Sequence, residues 1–591
     1  MPTPARAWWR GSSESDWASS RRFISSQTIP PRANPERIVP STRVTDRETS
    51  ALPECMRSRQ KHILYGLLRS TDSTRSTSIK EHIFMARETV VSSFKLSARE
   101  ILSSYAAFTL EGVMSARVKR GKDAWTIEER NGIAKGTSDG ENEAIYIPND
   151  KAIKSVAKNI VPLLPKKVVI RKPQDILDAC AAFDLKLIEK AGPNKKNWGG
   201  NACLASSTVF FQTLLKASGY EAWELRKPAG GLKTFYMPNI AFNMVCGGEH
   251  VPGTKQDIQE MFFFAMNEKS VKGVFQTGTK FFKQFEKNLV RDGLPTGTAK
   301  ERGFVFPVRD NFEGLERIQE CARQLGLGHT DFAIGTDNAF SEIQKTDELR
   351  ENGRYDLRFS GQGVKTREEL IEFDYEVVQS ADNFVTMEDP GSESDPEAHR
   401  LMTEKYGDCV QIVLDDAAVT QMRFILPFLC AKERRNRCGN SVLIKLNQAG
   451  TFTETCLATE IVLGLADPEQ VETFLAARGD LARVLADIKE KGVNSIEEAV
   501  NNIKKGGFTA FFSHRSTEGS SEFLPYMPLI YGAVSRKMWF KAGAPNGERN
   551  LQNYNPLIRA EEKMRQRGIK TVVAGFKGLP NEVKVPAMTK R

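Results

Sequence analysis

The length, composition and charge of the chain exclude several classes of protein. Its 591 residues, 40% of them hydrophobic and 27% charged, suffice for several domains or for one barrel with additions, and no apolar run approaches the ~20 residues that span a bilayer. The net charge of +10 is concentrated before residue 95, where 15 Lys and Arg face nine acids, and the remainder has no basic stripe interleaved with aromatic residues, so neither a membrane nor a nucleic-acid partner is expected.

The nine cysteines are scattered and form no CxxC pair. This pattern argues against a disulfide framework and against a zinc site, and it favours a reducing compartment. We therefore expect a cytoplasmic protein, with organellar targeting and cytoskeletal association as the open alternatives.

Residues 1–93 are rich in Ser, Arg, Thr and Pro and have weak hydrophobic periodicity. We predict that they form a disordered basic extension. A transit peptide is a second interpretation, since such peptides are Arg- and Ser-rich, although acids such as Glu14 and Asp16 count against it. A third is that the natural start lies further in, at Met85.

Residues 94–236 are predicted to form an α+β domain. Two segments, 97–102 and 109–114, have strand character, and a glycine-rich loop at 134–140 is of the kind that serves as a turn or a lid. Amphipathic periodicity predicts three helices, over residues 152–164, 174–190 and 201–218.

Three apolar runs between residues 384 and 447 alternate with helix-like segments at the roughly 25–30-residue spacing of a βαβ step. The runs lead into Glu388, Asp415 and Lys445. Buried parallel strands are apolar throughout, and the residues just past their carboxyl ends carry the chemistry of (β/α)8 barrels. A single charged residue at such a position is more often only solvated at the end of its strand. Three charged residues at matching strand ends favour a single pocket.

Other polar residues stand at turns and strand ends around this stretch. Before it come His250, Glu260, Glu301 and Asp337, and after it come His514, Arg515, Ser516 and Lys541. Taken singly, the histidines are more often structural, and Glu301 would be a surface ion pair with its cationic neighbours. Helix-like sequence at 465–506 indicates an insertion, either a solvated decoration or a partner surface.

Together these motifs resemble the enolase family, the phosphopyruvate hydratases of glycolysis, over roughly residues 95–577. The resemblance rests on Met387-Glu388-Asp389-Pro390, Leu414-Asp415-Asp416, the stretch from Leu443 to Gly450, Ser513-His514-Arg515-Ser516 and Lys541-Ala542-Gly543-Ala544-Pro545. It implies an α/β fold, with an N-terminal α+β domain at 94–236 packed on a modified (β/α)8 barrel at 237–591, and a Mg2+-dependent lyase that dehydrates 2-phosphoglycerate to phosphoenolpyruvate.

The resemblance also implies a role for each candidate residue. The ligands of the first of two expected Mg2+ ions would be Asp337, Glu388 and Asp415, and a lid serine reaching the second would be Ser138. The general base would be Lys445, and the acid pair would be Glu301 and Glu260. The substrate pocket would contain His250, His514, Arg515, Ser516 and Lys541. Cations near Lys445 would lower its pKa, as a base near neutral pH requires.

The family is dimeric through two ion pairs, which implies a homodimer here. The residues at the matching positions are Arg99, Glu111, Glu548 and Arg559.

The surroundings of the site depart from the family pattern. Lys300 and Arg302 flank Glu301 where the family has small and acidic residues, so we expect the ionised form of Glu301 to be favoured. The lid and the loop after Ser516 also differ. These changes concern closure over the substrate more than the identity of the site.

Three hypotheses follow. The first is an active, divergent enolase. The second is a catalytically weak or inactive protein that keeps the fold as a scaffold in a cytoskeletal or other assembly, with a partner on residues 465–506 or on the N-terminal extension. The third, a superfamily member acting on another acid, is disfavoured because His514-Arg515 and Lys541 match enolase itself.

Overall fold

The computed structural model describes residues 88–136, 142–226, 233–515, 519 and 521–584. Most of the predicted extension therefore lies outside the described residues, as do the lid serine Ser138 and the pocket residue Ser516. The first described strand begins at Thr89, within the segment assigned to the extension. Of the helices in the described ranges, none is both long enough and apolar enough to cross a membrane.

A four-stranded antiparallel sheet organises the N-terminal domain, with strand order β3-β2-β1-β4. Its strands are β1 (Thr89–Leu102), β2 (Phe108–Arg120), β3 (Asp123–Gly132) and β4 (Lys167–Ile170). Its helices are α1 (Asn149–Ser155), α2 (Gln174–Ala191) and α3 (Gly200–Ser218). Helix α3 is buried over nearly its whole length and packs so closely on the sheet that a Cβ at Gly112 would lie 2.5 Å from the carbonyl oxygen of Ala205.

The first predicted helix of this domain is shorter than expected. Regular α-helix ends at Ser155 and is followed by a wider π-helical turn (Val156–Ile160) and a 3-10 turn (Val161–Leu163). Pro162 explains the change, because proline lacks the backbone N–H and its ring collides with the carbonyl four residues earlier.

Eight strands close into a barrel, which confirms the predicted fold class. They are β6 (Asn239–Cys246), β7 (Glu260–Ala265), β8 (Phe332–Asp337), β11 (Phe384–Glu388), β12 (Gln411–Leu414), β13 (Ser441–Ile444), β14 (Thr509–Ser513) and β15 (Met538–Lys541). Seven run in one direction, whereas β7 is antiparallel to both its neighbours, β6 and β8. This reversal is the modification of the (β/α)8 pattern.

Small two-stranded sheets lie outside the barrel. Strand β5 (Thr234–Met237) pairs in parallel with β16 (Lys570–Val573), and β9 (Arg354–Leu357) pairs with β10 (Gly363–Thr366) in antiparallel fashion.

Aromatic and aliphatic side chains fill the barrel interior, with Trp539 packed edge-on against Phe264 at a centroid distance of 5.0 Å. Because the interior is a packed core, only the ends of the barrel are open to ligands.

Helices surround the barrel. They are α4 (Val271–Arg291), α5 (Glu313–Gln324), α6 (Asp347–Glu351), α7 (Arg367–Gln379), α8 (Pro396–Tyr406), α9 (Met422–Leu429), α10 (Leu446–Ala449), α11 (Phe452–Leu463), α12 (Pro468–Arg478), α13 (Leu481–Glu490), α14 (Ile496–Gly506), α15 (Tyr526–Tyr531) and α16 (Glu548–Gln566). Helix α8 begins with Asp395 accepting a hydrogen bond from the amide of Ala398 and with Pro396 in the first turn, both of which favour a helix start.

The predicted insertion is helical and consists of α12, α13 and α14. Each helix buries apolar side chains, among them Phe474, Val484 and Ile503. The three helices are therefore packed parts of the fold and not a decoration projecting into solvent.

Candidate active site

Most candidate residues lie at one end of the barrel, where the parallel strands finish. Asp337, Glu388 and Lys541 are the last residues of their strands, and Asp415 and Lys445 follow theirs directly. Glu388 is buried, whereas the other four border a cavity of about 380 Å3. Its lining residues include Glu249, His250, Glu260, Lys300, Glu301, Asp337, Glu342, Lys345, Asp389, Asp415, Asp416, Lys445, His514, Arg515 and Lys541.

Glu260 reaches the same end by a different route. It is the first residue of β7, the reversed strand, and its register partner across the ladder is Asp337 at the end of β8. Because β7 runs backwards, a residue that opens the strand stands beside residues that close the others.

The ammonium group of Lys541 lies among three carboxylates. Its Nζ is 2.7 and 2.8 Å from the two oxygens of Glu388, 3.0 Å from Asp337 Oδ2 and 3.7 Å from Glu260 Oε2. Burial alone would lower the pKa of Lys541, but the charges of Asp337 and Glu388 raise it well above its ordinary value. Carboxylate oxygens of three acidic residues thus surround one positive charge at this end of the barrel.

Asp415 pairs with a different lysine. It accepts hydrogen bonds from the Nζ of Lys445 and, at 2.9 Å, from Gln448 Nε2. The three predicted metal ligands therefore pair with two different lysines. Asp337 and Glu388 contact Lys541, whereas Asp415 contacts Lys445. Burial acts to lower the pKa of Lys445, but the negative charges of Asp415 and Glu388 together raise it above its ordinary value. We predicted a lowered pKa for the site with cations bound.

Glu260 and Glu301 form a coupled pair of buried acids. Burial and the negative charge of Glu301 raise the pKa of Glu260 well above its ordinary value. Burial also acts to raise the pKa of Glu301, but His514, whose Nε2 is 3.0 Å from Glu301 Oε2, holds it well below that value. These opposite directions favour the neutral form of Glu260 and the ionised form of Glu301, and His250 lies close by, with Nδ1 3.9 Å from Glu260 Oε1.

The ionised form of Glu301 is favoured as predicted, but for a different reason. The Nζ of Lys300 lies 4.1 Å from the ring centroid of Tyr105, in a cation–π contact, and Arg302 is exposed. His514 and His250 lower the pKa of Glu301 instead.

Arg515 is held by a residue that the sequence did not single out. Its Nη1 donates to Glu143 Oε1 at 2.9 Å, and both side chains are only 7% exposed. Glu143 lies between β3 and α1 in the N-terminal domain, 372 residues earlier in the chain. No local pattern marks it, because only the packing of the two domains brings the pair together.

Asp389 lies beside Asp415 and Asp416, with oxygens of the three within 4.8 Å of one another. Asp389 accepts the backbone amides of Asp415 and Asp416 at 2.9 Å each and has His399 Nε2 3.5 Å away. The carboxylate of Asp389 therefore fixes the backbone of the loop after β12, and with it the position of Asp415.

The residues expected at a dimer interface make pairs within the chain. Arg99 and Glu111 face each other across β1 and β2, with Nη2 and Oε2 2.5 Å apart, and Arg559 Nη1 lies 3.7 Å from Glu522 Oε1. Glu548 lies in the first turn of α16. The dimer remains a prediction.

Residues 234–465 match the family described as enolase, C-terminal TIM barrel domain. This match supports membership of the enolase superfamily without specifying one activity within it. It ends where the predicted insertion begins, although the barrel continues with β14 and β15.

Proposed function

Starting from a barrel that matches the enolase C-terminal domain, we propose that this protein is a phosphopyruvate hydratase. It would remove the C2 proton and the C3 hydroxyl group of 2-phosphoglycerate, giving phosphoenolpyruvate and water. The observation that supports this best is the gathering of Asp337, Glu388 and Glu260 around the ammonium group of Lys541, which lines the same cavity as the Lys445–Asp415 pair.

The carboxylates of the cavity suit the expected Mg2+. Eight acidic residues border it against five lysines and arginines, and carboxylate oxygens are the donors that Mg2+ prefers. Asp337, Glu388 and Asp415 would hold the ion. When bound, Mg2+ supplies positive charge that stabilises the carboxylate of the substrate as the C2 proton leaves and that offsets the charge of Asp415. Enolase-type sites are a standard example of this chemistry.

Lys445 is placed to act as the general base. In the ligand-free protein it is an ammonium paired with Asp415. Once the charge of Asp415 is offset, burial lowers the pKa of Lys445, and the neutral amine can accept the C2 proton.

The Glu260–Glu301 pair is placed to protonate the leaving hydroxyl group. Burial favours the neutral form of Glu260, and His514 favours the ionised form of Glu301. In this proposal Glu260 supplies the proton, directly or through Glu301. Arg515 would bind the phosphate through its guanidinium fork, and Lys541 would hold the substrate's carboxylate.

The test is an assay of the purified full chain with 2-phosphoglycerate, following the ultraviolet absorbance of phosphoenolpyruvate. We expect an increase that requires Mg2+, stops with EDTA and returns when Mg2+ is restored. No increase at any Mg2+ concentration would contradict the proposal.

The scaffold alternative remains a hypothesis. Its docking surface would lie on residues 465–506, where α12, α13 and α14 bury apolar side chains and where Leu465 and Leu485 are 41% and 37% exposed. The hydratase assay separates the two functions.

A further inference from the structure

The pairing of Arg515 with Glu143 joins the N-terminal domain to the cavity. Arg515 lines the cavity, whereas Glu143 is not among the lining residues and lies behind the guanidinium. Glu143 is itself held by Asn447, whose Nδ2 lies 3.3 Å from Oε2. The carboxylate is therefore fixed on both oxygens, and it fixes Arg515 in turn.

This arrangement places a negative charge next to the cation that a phosphate would use. The carboxylate of Glu143 is buried, so water screens its charge weakly, and it offsets part of the charge of the guanidinium. A phosphate dianion that approaches Arg515 from the cavity is attracted by the guanidinium and repelled by the carboxylate behind it. A fully exposed pair would exert a much smaller effect, because salt and water screen it.

We propose that Glu143 is a positioning residue that moderates the affinity of the cavity for phosphate: it orients Arg515 and competes with the substrate's phosphate for the charge of Arg515. The inference rests on the proposed function, since it takes Arg515 as the phosphate contact. Substrate and product carry the same phosphate group, so weaker binding at this position raises KM and speeds product release. Binding energy that substrate and product share does not accelerate the chemical step.

A purely structural pair would behave differently. If Glu143 only kept Arg515 in place, loss of its charge would weaken phosphate binding or leave it unchanged. If Glu143 moderates affinity, loss of the charge with retention of the hydrogen-bond acceptor strengthens binding. Glu143→Gln makes this change at Arg515, because the amide oxygen still accepts there, while the amide nitrogen that replaces Oε2 no longer accepts from Asn447. Glu143→Asp keeps the charge and moves it by one methylene group.

The first experiment measures binding of inorganic phosphate to the full chain by calorimetry, in EDTA so that no metal ion contributes. We expect Glu143→Gln to bind phosphate at least about threefold more tightly than the wild type, because a buried like charge has been removed. Glu143→Asp should bind no more tightly than the wild type. In an Arg515→Ala background, Glu143→Gln should have no effect, because the competition acts through Arg515.

A matched control is Glu582→Gln. Glu582 lies 3.1 Å from Nη1 of Arg437, in a largely buried pair that does not border the cavity. Phosphate affinity should not change in this variant. Thermal unfolding of every variant shows whether it is folded. If Glu143→Gln is not folded, Glu143→Asp takes its place as the test. Tighter phosphate binding by Glu143→Asp, which retains the charge, contradicts the inference.

The second experiment measures kcat and KM separately for the dehydration of 2-phosphoglycerate. Glu143→Gln should lower KM about as much as it strengthens phosphate binding, without raising kcat, whereas a structural defect would lower kcat and raise KM.

The two levels of inference fail in different ways. Phosphate binding that depends on Arg515 but is weakened or unchanged by Glu143→Gln overturns the role of Glu143 alone. Phosphate binding that does not depend on Arg515 removes the phosphate contact from the proposed function, and the role of Glu143 with it.

Discussion

Two sets of buried charges in this protein are built differently. One lies between the N-terminal domain and the barrel, where Lys195 donates to Glu454 and to the carbonyl oxygen of Ala449. Glu454 also accepts from Arg478 and Thr451, and Arg478 donates to Asp480. Two cations thus face two carboxylates, and the charges balance.

The other set surrounds the cavity, where acids outnumber lysines and arginines by eight to five. Lys541 alone is shared by Glu388, Asp337 and Glu260. Burying unbalanced charge is costly, and a fold tolerates it only where something else repays the cost. The paired charges at the junction stabilise the contact between the two domains. The excess of acid at the cavity is a charge that a bound cation would compensate under the proposed function.

The two sets should therefore respond to mutation in different ways. Breaking a pair at the domain junction should lower stability. Changing a charge at the cavity should lower activity more than stability, because the proposed function assigns these residues to the reaction and to ligand binding.

The largest effect is expected for Lys445→Met in the cavity. Methionine has a similar length but cannot accept the C2 proton, so we expect dehydration of 2-phosphoglycerate to slow by about 10^3-fold or more. The measurement is steady-state turnover with saturating Mg2+, with thermal unfolding to confirm the fold. Lys405→Met, which removes a surface lysine paired with Glu372, is the matched control. Equal activity in the two variants would contradict the role of Lys445.

A smaller effect, on stability alone, is expected for Glu454→Gln at the domain junction. Lys195 would lose its carboxylate and Arg478 would lose one of its two, Asp480 being the other, while both cations remain buried. Removal of one partner from such a network costs ~3 kcal/mol of unfolding free energy. The measurement is denaturant or thermal unfolding against the wild type. Glu372→Gln, at an exposed pair, should change stability little. Comparable losses of unfolding free energy in both variants would show that the buried pairs at the domain junction contribute no more to stability than an exposed pair.

The barrel and the positions of its charged residues could be predicted from the sequence because both signals are local. Strand β11 ends at Glu388 and β13 at Ile444, next to Lys445, as the apolar runs indicated. The direction of β7 could not be predicted, because an apolar strand has the same pattern in either direction. The position of Glu260 at the cavity therefore came from the resemblance and not from the pattern.

The pairing of the charges could not be predicted, because it depends on residues far apart in the chain. Nothing near Arg515 indicates Glu143, and nothing near Lys541 indicates that it, and not Lys445, lies between Glu388 and Asp337.

Helix α9 is the helix-like segment between the second and third apolar runs, and it ends at Leu429. After it, the side chain of Arg437 donates to the carbonyl oxygens of Ala431 and Lys432, which turns the chain away from the helix axis.

The smallest effect concerns Asp184, a buried acid beside the domain junction that forms no ion pair with the other described residues. Its Oδ2 accepts from the amide of Thr453 at 2.9 Å, and burial raises its pKa to about 6. Since the folded-state pKa lies above the unfolded one, the contribution of Asp184 to stability is full below the unfolded pKa and is lost as the pH rises through about 6.

Asp184→Asn does not titrate and keeps an acceptor for Thr453. Its stability relative to the wild type should therefore rise by ~1.5 kcal/mol between pH 5 and pH 8. Thermal unfolding at the two pH values measures the change, with Asp178→Asn, at an exposed position on the same helix α2, as the control. A difference between Asp184→Asn and the wild type that is the same at both pH values would show that the buried carboxyl does not titrate in this range. The junction would then tolerate an unpaired charge as the cavity does.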